Sequence, residues 1–138
     1  MGRDARLLAI SGVILLALSL LNGFLVHFLA HPRQLLSAHL VGLIASGLLI
    51  ALASLWPRLN QGRRGSMAGA LLAIYGFGVA WLMNLLAGLT GRSGIFPISV
   101  SAAPGGGLPD ALVSIGLGSS AVALFALCAV LLRNLMRK

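Results

Sequence analysis

The sequence predicts an all-α polytopic membrane protein, a bundle of four transmembrane helices formed by a single domain of 138 residues. Three observations predict it. Hydrophobic residues make up 59% of the chain and charged residues 9%, and mean hydropathy is +1.02, a balance far too apolar for a water-soluble domain of this size. Four stretches carry no charge: Leu7 to Ala30, Ala38 to Trp56, Met67 to Gly88 and Ala111 to Leu132. Each is near or above the roughly 20 helical residues that cross about 30 Å of hydrocarbon. The basic residues are also unevenly shared. Arg3, Arg6, Arg58, Arg63, Arg64, Arg133, Arg137 and Lys138 lie at the termini and in the middle connection, leaving Arg33 and Arg92 for the other two. By the positive-inside rule both termini are cytoplasmic, and in a bacterial inner membrane the first and third connections face the periplasm.

The first helix is expected over about 7–30. Arg3 and Arg6 before an apolar core resemble a signal peptide, but the core is long and Phe28-Leu29-Ala30 lacks a small-x-small cleavage pattern, so the segment reads as a membrane span. It carries Ser11, Ser19, Asn22 and His27. In "HPRQLLSAH" Pro32 opposes continued helix and Ser37 offers a cap, predicting a short turn and a second helix over about 38–56. Along it Ala38, Gly42 and Ser46 recur four apart, a stripe of small residues against which another backbone can approach closely. Trp56 and Pro57 mark its interfacial end.

"RLNQGRRGS" reads as a polar turn of hairpin length, so helices two and three are neighbours, as are one and two. The third helix, about 67–88, has small residues at Gly65, Gly69 and Ala73 and again at Gly76 and Ala80, ahead of Asn84. Tyr75 is too deep for an interfacial belt, which predicts a hydrogen-bond partner or a pocket for its hydroxyl. Residues 89–110, rich in Gly, Pro and Ser, are longer than a bundle connection requires and read as a flap or a loose tether. Asp110 is placed to cap a fourth helix over about 111–132, where "GLGSS" at 116–120 adds small and hydroxyl side chains.

Several function classes recede on composition. The formal charge of +8 is scattered over helix ends, with no basic groove and no aromatic stacking platform, so nucleic acid is not the expected partner. The single cysteine, Cys128, excludes an intrachain disulfide. No carboxylate falls inside a predicted span, against a carboxylate proton relay, and no pair of half-helices suggests a transporter ion site. What remains is a set of uncharged polar residues in the outer half: Asn22, His27, His31, His39 and Asn84, with Tyr75 nearer the midplane. Such groups face protein, a pore or a cavity rather than lipid. His39 reads either as an ordinary interfacial histidine or as an iron ligand, one ring nitrogen binding while the other is held by a hydrogen bond. With no CxxCH, any haem is noncovalent. His27 and His31, four apart, raise zinc, without the HExxH context of a zinc protease.

The segments "HPRQLLSAHLVGLIASGLLIALA", "YGFGVAWL" and "PGGGLPDAL" resemble, in order and spacing over roughly residues 7–132, the small four-helix membrane enzymes related to hydroxylaminobenzene mutase and styrene oxide isomerase. The Pro-Arg to Ser-Ala-His part is the most specific. The resemblance implies, in the mutase branch, intramolecular conversion of hydroxylaminobenzene to 2-aminophenol. In the isomerase branch it implies a haem b whose ferric iron acts as a Lewis acid on an epoxide oxygen, a trimer with haem between protomers, and an axial histidine that corresponds to His39.

The functional expectation is therefore an intramolecular mutase or isomerase of small aromatic hydroxylamines or epoxides that arrive through lipid. His39 is the cofactor and metal ligand, Tyr75 and Asn84 orient substrate, and the assembly is a homotrimer or a hetero-oligomer with a paralogue. Ala45 stands where the family has an asparagine, Ala80-Trp81 where the mutases have Asn-Trp, and Tyr75 where the isomerase branch has an aspartate. These departures bear on substrate rather than fold. The other readings are a noncatalytic membrane interaction subunit and a small transporter.

Overall fold

The computed structural model describes residues 2–28, 31–59, 63–91 and 107–136. They form four helices: α1 (Arg3–Leu25), extended by a 3-10 turn over Val26–Phe28; α2 (Pro32–Leu55), extended by another over Trp56–Arg58; α3 (Arg63–Thr90); and α4 (Leu108–Met136). All four are long and apolar enough to cross a membrane, and the chain is a multi-pass membrane protein. The flap expected over 89–110 lies outside the described residues except at its two ends.

Every helix runs past its charge-free stretch at one end or both, α1 only at its start. Loss of charge marks where hydrocarbon begins, whereas the helical backbone satisfies its own polar groups and continues into the interface. At α2 the difference matters. Pro32 occupies the first turn rather than breaking a helix, because its missing N–H is one that the first turn leaves unpaired anyway. Ser37 is consequently interior to α2, and His39 is its eighth residue. It lies about 10 Å along the axis from the helix start, at 1.5 Å per residue. Asp110 likewise falls inside the first turn of α4, whose first backbone bond runs from Ala111 N–H to the Gly107 carbonyl. His27 and His31 do not share a helix face: His27 is in the 3-10 turn and His31 precedes α2 in a non-helical conformation.

Small residues set the register between neighbours. A Cβ at Gly12 would come within 2.8 Å of the Ile50 side chain, and one at Gly23 within 2.5 Å of the His39 ring, so α1 and α2 run antiparallel with these pairs level. Gly42 of α2 meets Ser19 of α1 and Trp81 of α3, while Gly88 of α3 meets Leu35 of α2. Gly76 abuts Leu124 and Gly116 abuts Met83, which fixes α4 on α3. The stripe of Ala38, Gly42 and Ser46 is buried throughout. Close approach through such residues gives van der Waals contact where lipid supplies no hydrophobic drive between helices.

At the end of the bundle where α1 starts, three helices are tied by side chains. Trp56 Nε1 donates to Ser66 Oγ at 3.0 Å, and Ser66 Oγ donates to Asp4 at 2.5 Å. The buried interior extends from here through Leu8, Leu15, Ala45, Leu49, Ala70, Ala73 and Leu127. Among the described residues α4 comes within 8 Å of α3, Cα to Cα, and of no other helix.

Candidate active site

His39 projects from α2 onto α1. Its Nδ1 lies 2.7 Å from the backbone carbonyl oxygen of Ser19, and its ring rests on Gly23, the only residue type without a Cβ to collide with it. A carbonyl only accepts, so Nδ1 is the donor and carries the proton. Nε2 then keeps its lone pair. The Ser19 hydroxyl is occupied elsewhere, donating to Leu15 O at 2.7 Å.

The register brings His39 level with Asn22 and Asn84. Leu35 faces Gly88 and Gly42 faces Trp81, so the α3 residue opposite His39 is Asn84. Both asparagines are buried, at 6% and 8% exposure. Asn22 Nδ2 donates to the Leu35 carbonyl at 3.1 Å, tying the first turns of α2 to α1. Asn84 Nδ2 donates to Ala80 O at 2.8 Å within its own helix. Tyr75 is not part of this group. It sits nine residues earlier on α3, about 13 Å along the axis, and its hydroxyl donates to Ser119 Oγ of α4 at 2.9 Å. The partner expected for its hydroxyl is therefore a serine on the neighbouring helix.

An imidazole held by a backbone carbonyl through one nitrogen, with the other free to donate a lone pair, is the donor set that a haem iron takes from a protein. Among the described residues no three His, Cys, Asp or Glu side chains converge. A single protein ligand would nevertheless suffice for an iron whose remaining nitrogen donors come from a porphyrin. The chain's donor set thus fits a haem.

One turn from His39 toward the middle of the bundle, Trp81 packs against Gly42 and Ser19. Its Nε1 is buried and makes no hydrogen bond among the described residues. Trp81 also lines a groove of about 250 Å³ between α1 and α3, walled by Ser11, Ile14, Leu15, Leu18, Ile74 and Leu82, with Gly78 and Leu49. Sequence reasoning singled out Trp81 only as half of an altered pair. The signal available was its depth: an indole N–H far from the interface needs a partner.

Comparison with known proteins agrees with this architecture. The family described as styrene oxide isomerase matches residues 4–136. The chain is 36% identical over 132 residues to the hydroxylaminobenzene mutase HabB of Ectopseudomonas oleovorans, a match covering 95% of this chain and 80% of that protein. No solved structure matches it. The span of the family match, nearly end to end across all four helices, and this identity together show that the chain is an isomerase-class membrane enzyme belonging to the styrene oxide isomerase family.

Proposed function

We propose that this protein catalyses an intramolecular rearrangement of small aromatic hydroxylamines or epoxides within the membrane. The two substrates named among its relatives, hydroxylaminobenzene and styrene oxide, have a common form: one aromatic ring beside an oxygen whose bond to nitrogen or carbon is easily broken. The observation that carries the reading is the hydrogen bond from His39 Nδ1 to the Ser19 carbonyl, 2.7 Å long. The bond leaves Nε2 as the lone-pair nitrogen and holds the ring, which is the arrangement a ligating histidine uses.

When bound, a haem b on His39 would supply a Lewis-acidic ferric iron toward the substrate oxygen. The chain's own residues do the rest. Ser19 and Gly23 fix the imidazole, and buried Asn84, level with His39, is the side chain we assign to orienting the substrate. Tyr75 bears on the site by joining α3 to α4 through Ser119. The apolar helices keep out water that would capture a cationic intermediate as a diol. Substrate arrives from lipid, in which such molecules dissolve.

Our reading of the setting is a bacterial inner membrane with both termini cytoplasmic, resting on the distribution of the arginines. We also propose a homotrimer, or a hetero-oligomer with a paralogue; α4, which packs on α3 alone among the described helices and is the least buried of the four spans, leaves the most room for a second chain.

The test is the absorption spectrum of detergent-purified protein after haem supplementation, beside His39→Ala, with product analysis on hydroxylaminobenzene and styrene oxide. A stoichiometric Soret band lost in the variant, together with isomerised product, is the expected result. Wild-type protein that takes up no haem above background removes the haem part of the proposal. Product formation without haem would leave the rearrangement standing and make His39 a group acting directly on substrate.

A further inference from the structure

The groove between α1 and α3 has no part in the account of His39, yet it has what a small-molecule site needs: concavity, apolar walls and an unpaired hydroxyl. Its volume is about 250 Å³, larger than the roughly 150 Å³ that admits benzene in an apolar protein cavity. Ser11 stands at one end and Trp81 at the other, eight to nine residues apart in depth by the register, or about 13 Å.

The Ser11 end carries unused hydrogen-bonding capacity. Ser19, Ser46, Ser54, Ser119 and Ser120 turn their hydroxyls back onto carbonyls of their own helices, whereas Ser11 has no partner among the described residues. Trp81 Nε1 is also unpaired, but protein covers it completely, so the indole offers the groove its carbon surface and not its N–H. Gly78 adds a third feature. It lines the groove, and a Cβ built on it meets nothing within 4 Å. At Gly12, Gly23, Gly42, Gly76, Gly88 and Gly116 such a Cβ would strike a neighbouring helix, whereas at Gly47, Gly65 and Gly118, none of which lines the groove, it would meet nothing either. The absence of a side chain at Gly78 therefore serves no helix contact and leaves space.

We infer that the α1/α3 groove binds a single-ring aromatic molecule bearing a hydrogen-bond acceptor, with Gly78 setting the size of ring admitted and Trp81 forming the wall nearest His39. The guest's identity as substrate rests on the isomerase reading above; the existence of the site does not. Trp81 touches the turn of α1 whose Ser19 carbonyl holds His39, so a ring at that end lies beside the reacting centre. The groove flanks Ile14, Leu18 and Leu82, all more than 40% exposed and thus facing lipid.

The experiment uses the full chain in nanodiscs with Trp56→Phe, which leaves Trp81 as the sole tryptophan of the two. Nitrobenzene is the probe, being one ring with acceptor oxygens and a quencher of indole fluorescence. Saturable quenching is expected, weakened about tenfold or more by Gly78→Leu and less by Gly78→Ala, because the added carbons occupy the site. Helical circular dichroism and unfolding midpoint should be unchanged, since the new side chain meets open space. Quenching that rises linearly with probe, or is equal in Gly78→Leu, overturns the site. Full quenching of Trp81 by phosphatidylcholine brominated in mid-chain, undiminished by a non-quenching ring such as acetophenone, overturns it in favour of an acyl chain. Saturable nitrobenzene binding by protein that converts neither hydroxylaminobenzene nor styrene oxide supports the site and removes the isomerase reading. Turnover by Gly78→Leu at the wild-type KM does the reverse.

Discussion

His39 and Ser19 are joined across two helices by a 2.7 Å hydrogen bond whose acceptor is main chain. Helix geometry already pairs the Ser19 carbonyl with the N–H of Gly23, so the imidazole takes the second lone pair of that oxygen. The ring then lies over the Gly23 backbone itself. One helical turn thus supplies both the hydrogen bond and the flat seat.

Gly23→Ala therefore tests the orientation of His39 without touching it. The new Cβ would lie 2.5 Å from Cε1 and Nδ1 and 3.0 Å from Cγ, forcing the imidazole to swing away. A displacement near 1 Å is expected to lower kcat/KM by about 10²-fold, with a weakened and shifted Soret band in haem-supplemented protein. Unchanged turnover and spectrum would show that the seat is incidental.

Gly42 lies where three helices meet, against Ser19 on one side and Trp81 on the other. Gly42→Ala overpacks this point and should destabilise the bundle by about 1–3 kcal/mol, read as a lower midpoint in detergent unfolding. Ser19→Gly on the same chain removes the nearest obstacle and should restore part of the loss. Additive effects of the two changes would mean the contact is not shared.

The Trp56, Ser66 and Asp4 chain binds α1, α2 and α3 at one end. Ser66→Ala strands both the indole N–H and the carboxylate, an expected cost of about 1–3 kcal/mol. Trp56→Phe removes a donor and its need together, and should cost less. The double variant is expected to fall short of the sum, because both changes remove the same bond. Strict additivity in unfolding would show the bond to be absent.

Tyr75→Phe and Asn84→Ala separate two residues that the sequence alone sets side by side. The Tyr75 hydroxyl is spent on Ser119, so its loss should reduce stability by about 0.5–1.5 kcal/mol and change kcat by less than about twofold. Asn84, level with His39 and buried, should change kcat by about tenfold or more when cut to alanine. Steady-state kinetics on hydroxylaminobenzene would reverse the assignment if Tyr75→Phe were the more damaging.

The spans were legible because hydrocarbon tolerates few charges, and the small stripe of α2 was legible because close helix approach demands it. The facing of each helix was not. Phe24, Leu40, Leu71 and Phe125 are exposed while Leu8, Leu35 and Leu49 are buried, and no hydropathy pattern separates such residues when lipid is as apolar as the interior. His39 was visible as a candidate, but its partner is a carbonyl that every residue possesses. Its depth was misread through Pro32, which starts a helix where it was expected to delay one. Tyr75's need for a partner was clear, and Ser119 became identifiable only once α3 and α4 were in register. The groove required α1 and α3, separated in sequence by all of α2, to be placed together.

That α4 meets α3 alone sets it apart among the described helices. Of the helices before it in the chain, each has its main partner in the immediately preceding one, and the three-helix latch at Asp4, Trp56 and Ser66 needs no residue of α4. The last span docks on α3 through Gly76, Gly116 and Tyr75. Its opposite face, with Ile115, Val122 and Phe125 exposed, touches no other described helix of the chain, so α4 is held to the bundle along a single seam.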